Sequence, residues 1–221
     1  MSTDIIVLNG GSSSGKTSIA RRLQDLLPEA WLSLGVDDLI AAMPSPAPGR
    51  PEMITFAPDG AVIVGPGFRR LEAAWAQGVA AMARAGPGVI VDDVFMDGGA
   101  SQARVRAGLT GLEVLWVGVR CDAAVAAARE AARPDRVRGM ALSQADAVHR
   151  GVVYDVEVDT TVTSALACAQ IVYDRVVPSG GGPDGDSQGD QSFRPPTRSA
   201  LPPSPAVPGA NGDRRPTAPT L

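Results

Sequence analysis

The stretch Gly10-Gly11-Ser12-Ser13-Ser14-Gly15-Lys16-Thr17 constrains this chain more than any other. It fits G-x-x-x-x-G-K-[ST], a phosphate-binding P-loop, and its flanks agree. Asp4 to Asn9 is a short β-branched apolar run, the pattern of a buried parallel strand. Beyond the loop, Ile19, Leu23, Leu26 and Leu27 fall at helical spacing. Strand, glycine loop and helix in that order serve one chemistry. Glycines let the backbone take positive φ and wrap closely around phosphates. The N–H groups that open the helix face an anion from the positive end of its dipole. Lys16 offers a compact charge to the β- and γ-oxygens, and Thr17 a hydroxyl to magnesium. Lys16 is the only lysine in the chain; the other cations are arginines. A forked guanidinium does not replace a point charge in such a loop. Gly10, Gly11, Ser12, Ser13, Ser14, Gly15, Lys16 and Thr17 are therefore the candidate nucleotide-binding set.

At 221 residues the chain has room for one α/β domain of roughly 150–200 residues and a tail. The net charge is -4 and no basic patch is interleaved with aromatics, so no nucleic-acid partner is expected. Met-Ser-Thr-Asp leads straight into an apolar run with no signal-peptide pattern, and no apolar run approaches the length of a membrane span. No membrane partner is expected. Cys121 and Cys168 lie far apart and form no C-x-x-C, which suits a reduced, cytoplasmic setting and no metal-thiolate site. His149 is the only histidine, which excludes a histidine metal cluster or a Ser-His-Asp triad.

Along the chain, Trp31 to Val36 reads as a second strand ending in Asp37-Asp38, and Leu39 to Met43 as a helix stopped by Pro44. Pro44 to Pro51 is a proline-rich loop. Met53 to Phe56 and Ala61 to Val64 flank Pro58-Asp59-Gly60, a hairpin signal. Phe68, Leu71, Trp75, Val79 and Met82 mark one face of a helix over 67–85, closed by Gly86-Pro87-Gly88. Val89 to Asp93, Val114 to Val119 and Tyr154 to Val158 read as three further strands. Asp122 caps a helix through Ala132, another helix leads to about His149, and a last one covers 164–177. The alternation gives a three-layer α/β sandwich: a five-stranded parallel sheet flanked by helices, over residues 1–178. Such sheets bind ligands at the carboxyl ends of their strands, where Gly10, Asp37, Asp92 and Asp93 fall. From 179 to 221, Gly, Pro, Ser, Asp and Arg dominate and apolar periodicity is gone. That segment is expected to be a disordered tail.

Three constellations carry candidate chemistry. Asp37 and Asp38 offer a carboxylate that could relieve an acceptor hydroxyl of its proton; a helix cap also favours aspartate here, so both roles stay open. Asp92 and Asp93 end an apolar strand, where a carboxylate would hold Mg²⁺ with Thr17. Asp92 is the candidate ligand and Asp93 the open alternative. Arg129, Arg133, Arg136 and Arg138 surround a basic loop whose guanidinium forks could hold phosphate oxygens, Arg133 and Arg136 foremost.

The chain resembles the chloramphenicol 3-O-phosphotransferase family. The likeness lies in Asn9 to Lys16, in Leu34-Gly35-Val36-Asp37 with Leu39-Ile40-Ala41-Ala42-Met43-Pro44, and in Gly65-Pro66-Gly67-Phe68-Arg69 with Leu71-Glu72 and Ala74-Trp75. It continues through Ile90 to Phe95, Val114 to Cys121 and Tyr154 to Thr161, in order over about residues 4–178. The resemblance implies a fold like the shikimate and nucleoside-monophosphate kinases, ATP as phosphoryl donor, Mg²⁺, and an antibiotic acceptor with a primary hydroxyl. It implies Asp37 as catalytic base and Arg133 and Arg136 as lid arginines beside Lys16. The loop from Ser45 to Met53, expected near the acceptor, departs from the family's sequence. A kinase of the same fold acting on another small alcohol, a non-catalytic nucleotide-binding module, and a homo-oligomeric state all stay open at this point.

Overall fold

In the computed structural model the described residues are 3–43, 53–57, 61–133 and 138–177. They belong to the unit Met1–Gly181. The expected tail, Arg136, the proline-rich loop after Pro44 and the hairpin's turn residues lie outside the described residues.

Five strands form one parallel sheet: β1 (Ile5–Asn9), β2 (Trp31–Gly35), β5 (Gly88–Asp93), β6 (Val114–Arg120) and β7 (Val156–Asp159). Their order is β2-β5-β1-β6-β7, so the P-loop strand is central. A separate antiparallel hairpin pairs β3 (Ile54–Phe56) with β4 (Val62–Val64), as the sequence predicts. The helices are α1 (Lys16–Leu26), α2 (Val36–Ala41), α3 (Pro66–Arg84), α4 (Gly99–Gly108), α5 (Ala123–Ala131), α6 (Met140–Gln144) and α7 (Ala165–Val176), with a 3-10 turn at Ala147–His149. Their starts follow local chemistry. Pro66 opens α3 at a position that needs no N–H. Asp122 accepts hydrogen bonds from the Ala124 and Val125 N–H groups at the head of α5.

The central strand is apolar throughout because both its faces are covered. Ile6 and Leu8 pack with Ile90, Val117 and Val119 against Ile19 and Leu23 of α1 and Cys168, Ala169 and Val172 of α7. Ile5 and Val7 pack with Val89, Val91 and Trp116 against Val79, Ala80 and Ala83 of α3 and Val105 of α4. Ile5 through Leu8 are fully buried, and each such side chain contributes about 1.5–3 kcal/mol relative to exposure.

Helix α4 has no counterpart among the elements expected from the sequence. Its buried face carries Ser101 and Gln102 beside Val105, and that polar content hides the helical period. Gln102 is buried because its amide exchanges two hydrogen bonds with the Val153 backbone, at 2.7 and 3.0 Å. The last sheet strand also starts two residues later than expected, at Val156. Tyr154 stands before it, its ring against Gly118, where a Cβ would meet the ring at 2.8 Å.

Asn9, the last residue of β1, ties the strand ends together. Its side-chain oxygen accepts from the Phe95 N–H at 2.9 Å, and its amide donates to Val148 O at 2.9 Å and to the Tyr154 hydroxyl at 2.6 Å. The amide can only donate, so the Tyr154 proton goes to His149 Nδ1, 2.6 Å away. His149 is thus held neutral. Burial first, then the Arg120 charge, push its pKa down to about 4. A histidine with a lowered folded pKa adds stability above its ordinary value of 6.5 that is lost as pH falls from there to about 4.

Asn9→Ala should destabilise the domain by about 2–4 kcal/mol, because it orphans the Phe95 N–H and the Val148 carbonyl. The urea midpoint measures this. A loss below about 0.5 kcal/mol, the range of ordinary surface changes, would show that the latch contributes little.

Candidate active site

Over the carboxyl ends of β1, β2 and β5 lies a cleft of about 710 Å³. Ser12, Ser13, Gly15, Lys16 and Thr17 line it from the P-loop, with Asp37 and Asp38 of α2 and Asp92 and Asp93 of β5. Arg129 and Arg133 line it as well. Gly10, Gly11 and Ser14 stand behind that wall. Gly10 is pressed on the neighbouring strand, where a Cβ would come within 2.5 Å of Val119 O. The structure thus brings the described P-loop, aspartate and arginine candidates to one place, except Arg138, which does not line the cleft.

The loop is shaped for an anion. Ser13 and Gly15 take positive φ, 59° and 95°, which turns successive N–H groups inward. Gly15 caps α1 without any side chain, so the N–H groups of the first turn have no cap acceptor. Among the described residues, the buried hydroxyls of Ser12, Ser13 and Ser14 have no hydrogen-bond partner. Such groups cost free energy unless something accepts or donates to them. Lys16 is 6% exposed. Its ammonium donates to Gly10 O at 2.9 Å and Gly11 O at 3.0 Å and lies 3.6 Å from Asp92.

Strand alternation separates the acidic pair at the end of β5. Ile90 packs on the α1 side, and Val89 and Val91 pack on the α3 side. The same alternation sends Asp92 toward α1, where the Thr17 hydroxyl donates to it at 2.6 Å. Asp93 turns the other way and accepts from its own neighbour, the Val94 N–H, at 2.7 Å. Burial above all raises the Asp93 pKa to about 6, and the charges of Glu72 and Asp92 add to that. Thr17 and Asp92 therefore present the pair of hard oxygen donors that Mg²⁺ prefers. Asp93 does not face them.

Asp37 and Asp38 both fall in the first turn of α2. Asp38 accepts from the Gly35 N–H at 2.7 Å, which closes the helix start. The cap reading therefore belongs to Asp38, while Asp37 stands in the cleft wall.

On the opposite side, Arg129 donates to Thr160 O at 2.7 Å and to Thr160 Oγ1 at 3.2 Å. The Thr160 hydroxyl in turn donates to Ser14 O at 2.6 Å. Arg129 is thus a brace between α5, the end of β7 and the P-loop. Its neighbour Glu130 does not pair with it. Glu130 is buried and accepts from the Gly139 and Ala141 N–H groups, both at 2.8 Å, clamping the two ends of the basic loop. Thr160, Gln144, which accepts from the Ser12 N–H at 2.7 Å, and the Arg69–Glu72 pair were not singled out by the sequence as site residues. The partners of Thr160 and Gln144 are far away in the chain, and the Arg69–Glu72 pair, three residues apart, is an ordinary helix-surface spacing until the fold turns it to the cleft.

The chain matches the family described as "Chloramphenicol phosphotransferase-like protein" over residues 3–177. A protein of Mycobacterium tuberculosis that carries the provisional name O-phosphotransferase is 34% identical over 182 residues, spanning 77% of this chain and 80% of its own. Among solved structures, a sugar kinase from a Janibacter species aligns with TM-score 0.57 at 18% identity, covering 80% of this chain and 97% of that one. The tunicamycin resistance protein of Deinococcus radiodurans also gives 0.57, at 20% identity over 79% of this chain and 96% of its own. These two share the fold.

Asp93 has a measurable signature. Its folded pKa of about 6 lies above the ordinary 3.8, so the folded state carries a penalty above pH 6 that fades as pH falls toward 3.8. Asp93→Asn should therefore be more stable than the parent at pH 7.5, by on the order of 2 kcal/mol, and lose that advantage near pH 4. Both proteins share His149, so the difference between their melting curves isolates Asp93. A difference that does not change between pH 7.5 and pH 4 would contradict the buried-carboxyl account.

Proposed function

This chain belongs to the chloramphenicol phosphotransferase-like family, and we propose that it is an ATP-dependent O-kinase that transfers the γ-phosphoryl group to a primary hydroxyl of chloramphenicol, inactivating the antibiotic. The observation that carries this reading is one juxtaposition. An anion-shaped loop with Lys16, the Thr17–Asp92 oxygen pair, and the Asp37 carboxylate all line the same cleft. Apolar side chains from the hairpin and α3 wall the rest of it: Ile54, Val62, Val64 and Phe68. That combination suits a phosphate chain at one end and an amphipathic small molecule at the other.

In this reading the P-loop N–H groups and the three serine hydroxyls take the phosphate oxygens of ATP. Lys16 exchanges its loop carbonyls for the β- and γ-oxygens and neutralises the charge that moves between them. Thr17 and Asp92 would hold Mg²⁺, which supplies charge compensation at the same oxygens. Asp37 orients the acceptor hydroxyl toward the γ-phosphorus and takes its proton as the new O–P bond forms. The bond to the β–γ bridging oxygen breaks and ADP leaves. Arg133, and Arg136 beyond the described residues, close over the transferring group as the lid. Arg129 keeps the loop in shape through Thr160.

Asp37→Asn retains shape and one acceptor oxygen but removes the base. Turnover with chloramphenicol should fall by about 10²-fold or more, within the usual range for a general base, while ATP affinity changes little. Asp38→Asn should be milder, because a neutral amide oxygen still caps α2. Steady-state kinetics on both variants decide the matter. A dead Asp38→Asn beside a near-normal Asp37→Asn would displace the base by one residue.

A further inference from the structure

Lining the cleft together with its apolar residues is a charged pair that phosphoryl transfer as proposed does not use. Arg69 and Glu72, both on α3, line the cleft. Arg69 Nη1 holds both oxygens of Glu72, at 3.2 and 2.9 Å, and its other terminal nitrogen binds Asp97. Arg104 stands behind: it donates to Asp97 at 2.7 Å and to Ser101 at 2.9 Å, and lies 3.7 Å from Glu72. Asp97 and Arg104 do not line the cleft. Three charged groups, Arg69, Asp97 and Arg104, thus hold the Glu72 carboxylate in place at the cleft.

The roles within the pair are unequal. Arg69 spends three of its five N–H donors on the carboxylates of Glu72 and Asp97, and each Glu72 oxygen retains a lone pair beyond the one Arg69 holds. What Glu72 itself offers the cleft is hydrogen-bond acceptance from a carboxylate held in place by Arg69. Asp93 stands next to it, and Asp37 lines the same cleft. We propose that Glu72, oriented by Arg69, is the specificity-determining residue of the acceptor compartment. It accepts a hydrogen bond from an N–H, O–H or ammonium donor on the apolar acceptor, and repels acceptors that carry a carboxylate or phosphate. This rests on the kinase reading above and adds the substrate class: hydroxyl compounds that are neutral or cationic, with a donor set on an apolar body.

Three acceptors with one apolar body and one primary hydroxyl test it: chloramphenicol, its deacylated free amine, and the N-succinyl derivative of that amine, which carries a carboxylate. Transfer from ATP and binding by calorimetry are both measured on the full chain. The amine should bind at least as well as chloramphenicol, and the carboxylate derivative at least ~10-fold worse, mainly in KM rather than kcat. In Glu72→Gln the amide still accepts but the charge is gone. The amine should weaken by ~10-fold, the carboxylate derivative should improve, and chloramphenicol should change by less than about threefold. Asp97→Asn removes an Arg69 partner from behind the cleft and should keep the parent's ranking. Equal KM for all three acceptors in the parent overturns the proposal without any variant, as does a binding failure of all three. The same reshuffling in Asp97→Asn as in Glu72→Gln also overturns it, since the network rather than the Glu72 charge would then set the preference. Charge-ordered binding without transfer would defeat the kinase reading and leave this assignment standing; transfer without charge ordering would do the reverse.

Discussion

A lone lysine, buried at the junction of three elements, is the contact on which the rest of the structure depends. Lys16 begins α1, reaches back to the carbonyls that follow β1, and stands beside Asp92 at the end of β5. A buried ammonium is tolerated only with such partners. Their placement requires β1 and β5 to be parallel neighbours in register, with Asn9 opposite Asp93 and Leu8 opposite Asp92. The doubly covered sheet supplies that register. Its two apolar faces leave one arrangement in which every strand of the central pair is buried on both sides.

The strand order then divides the cleft. With β2 and β5 on one side of β1 and β6 and β7 on the other, the ends of the strands bring different chemistry to each half. Arg129 and Thr160 come from the β6–β7 side and brace the P-loop. Asp37, Asp93 and, from α3, Glu72 come to the β2–β5 side. A cationic end and a carboxylate-rich end of the cleft follow from topology together with strand alternation. Adjacent residues such as Asp92 and Asp93 are consequently unlike in environment. One meets a hydroxyl and a cation. The other is half-buried, its desolvated carboxyl beside the charges of Glu72 and Asp92, and its pKa is raised to about 6.

The sheet, the P-loop and the cap at Asp122 were legible in the sequence because each is a local pattern. A β-branched run, a glycine spacing and an aspartate before a helix need no tertiary context. Helix α4 was not legible, since its buried face includes Ser101 and Gln102, and Gln102 is satisfied by Val153, far along the chain. The choice between Asp92 and Asp93 was open for a related reason: alternation is visible in sequence, but which face meets α1 is a property of the fold. The Asn9–Tyr154–His149 latch, the Arg129 brace and the Arg69–Glu72 pair join residues by long-range contacts or by side-chain direction, and neither leaves a motif. The hairpin was correctly read from its turn residues even though it stands apart from the main sheet.

The most direct measurement of the central claim is ATP consumption by the full chain with and without chloramphenicol, with mass spectrometry of the acceptor. The account predicts ADP formation that depends on the acceptor, matched by chloramphenicol carrying one added phosphoryl group. Tight ATP binding with no phosphorylated product, from chloramphenicol or from its free amine, would contradict it.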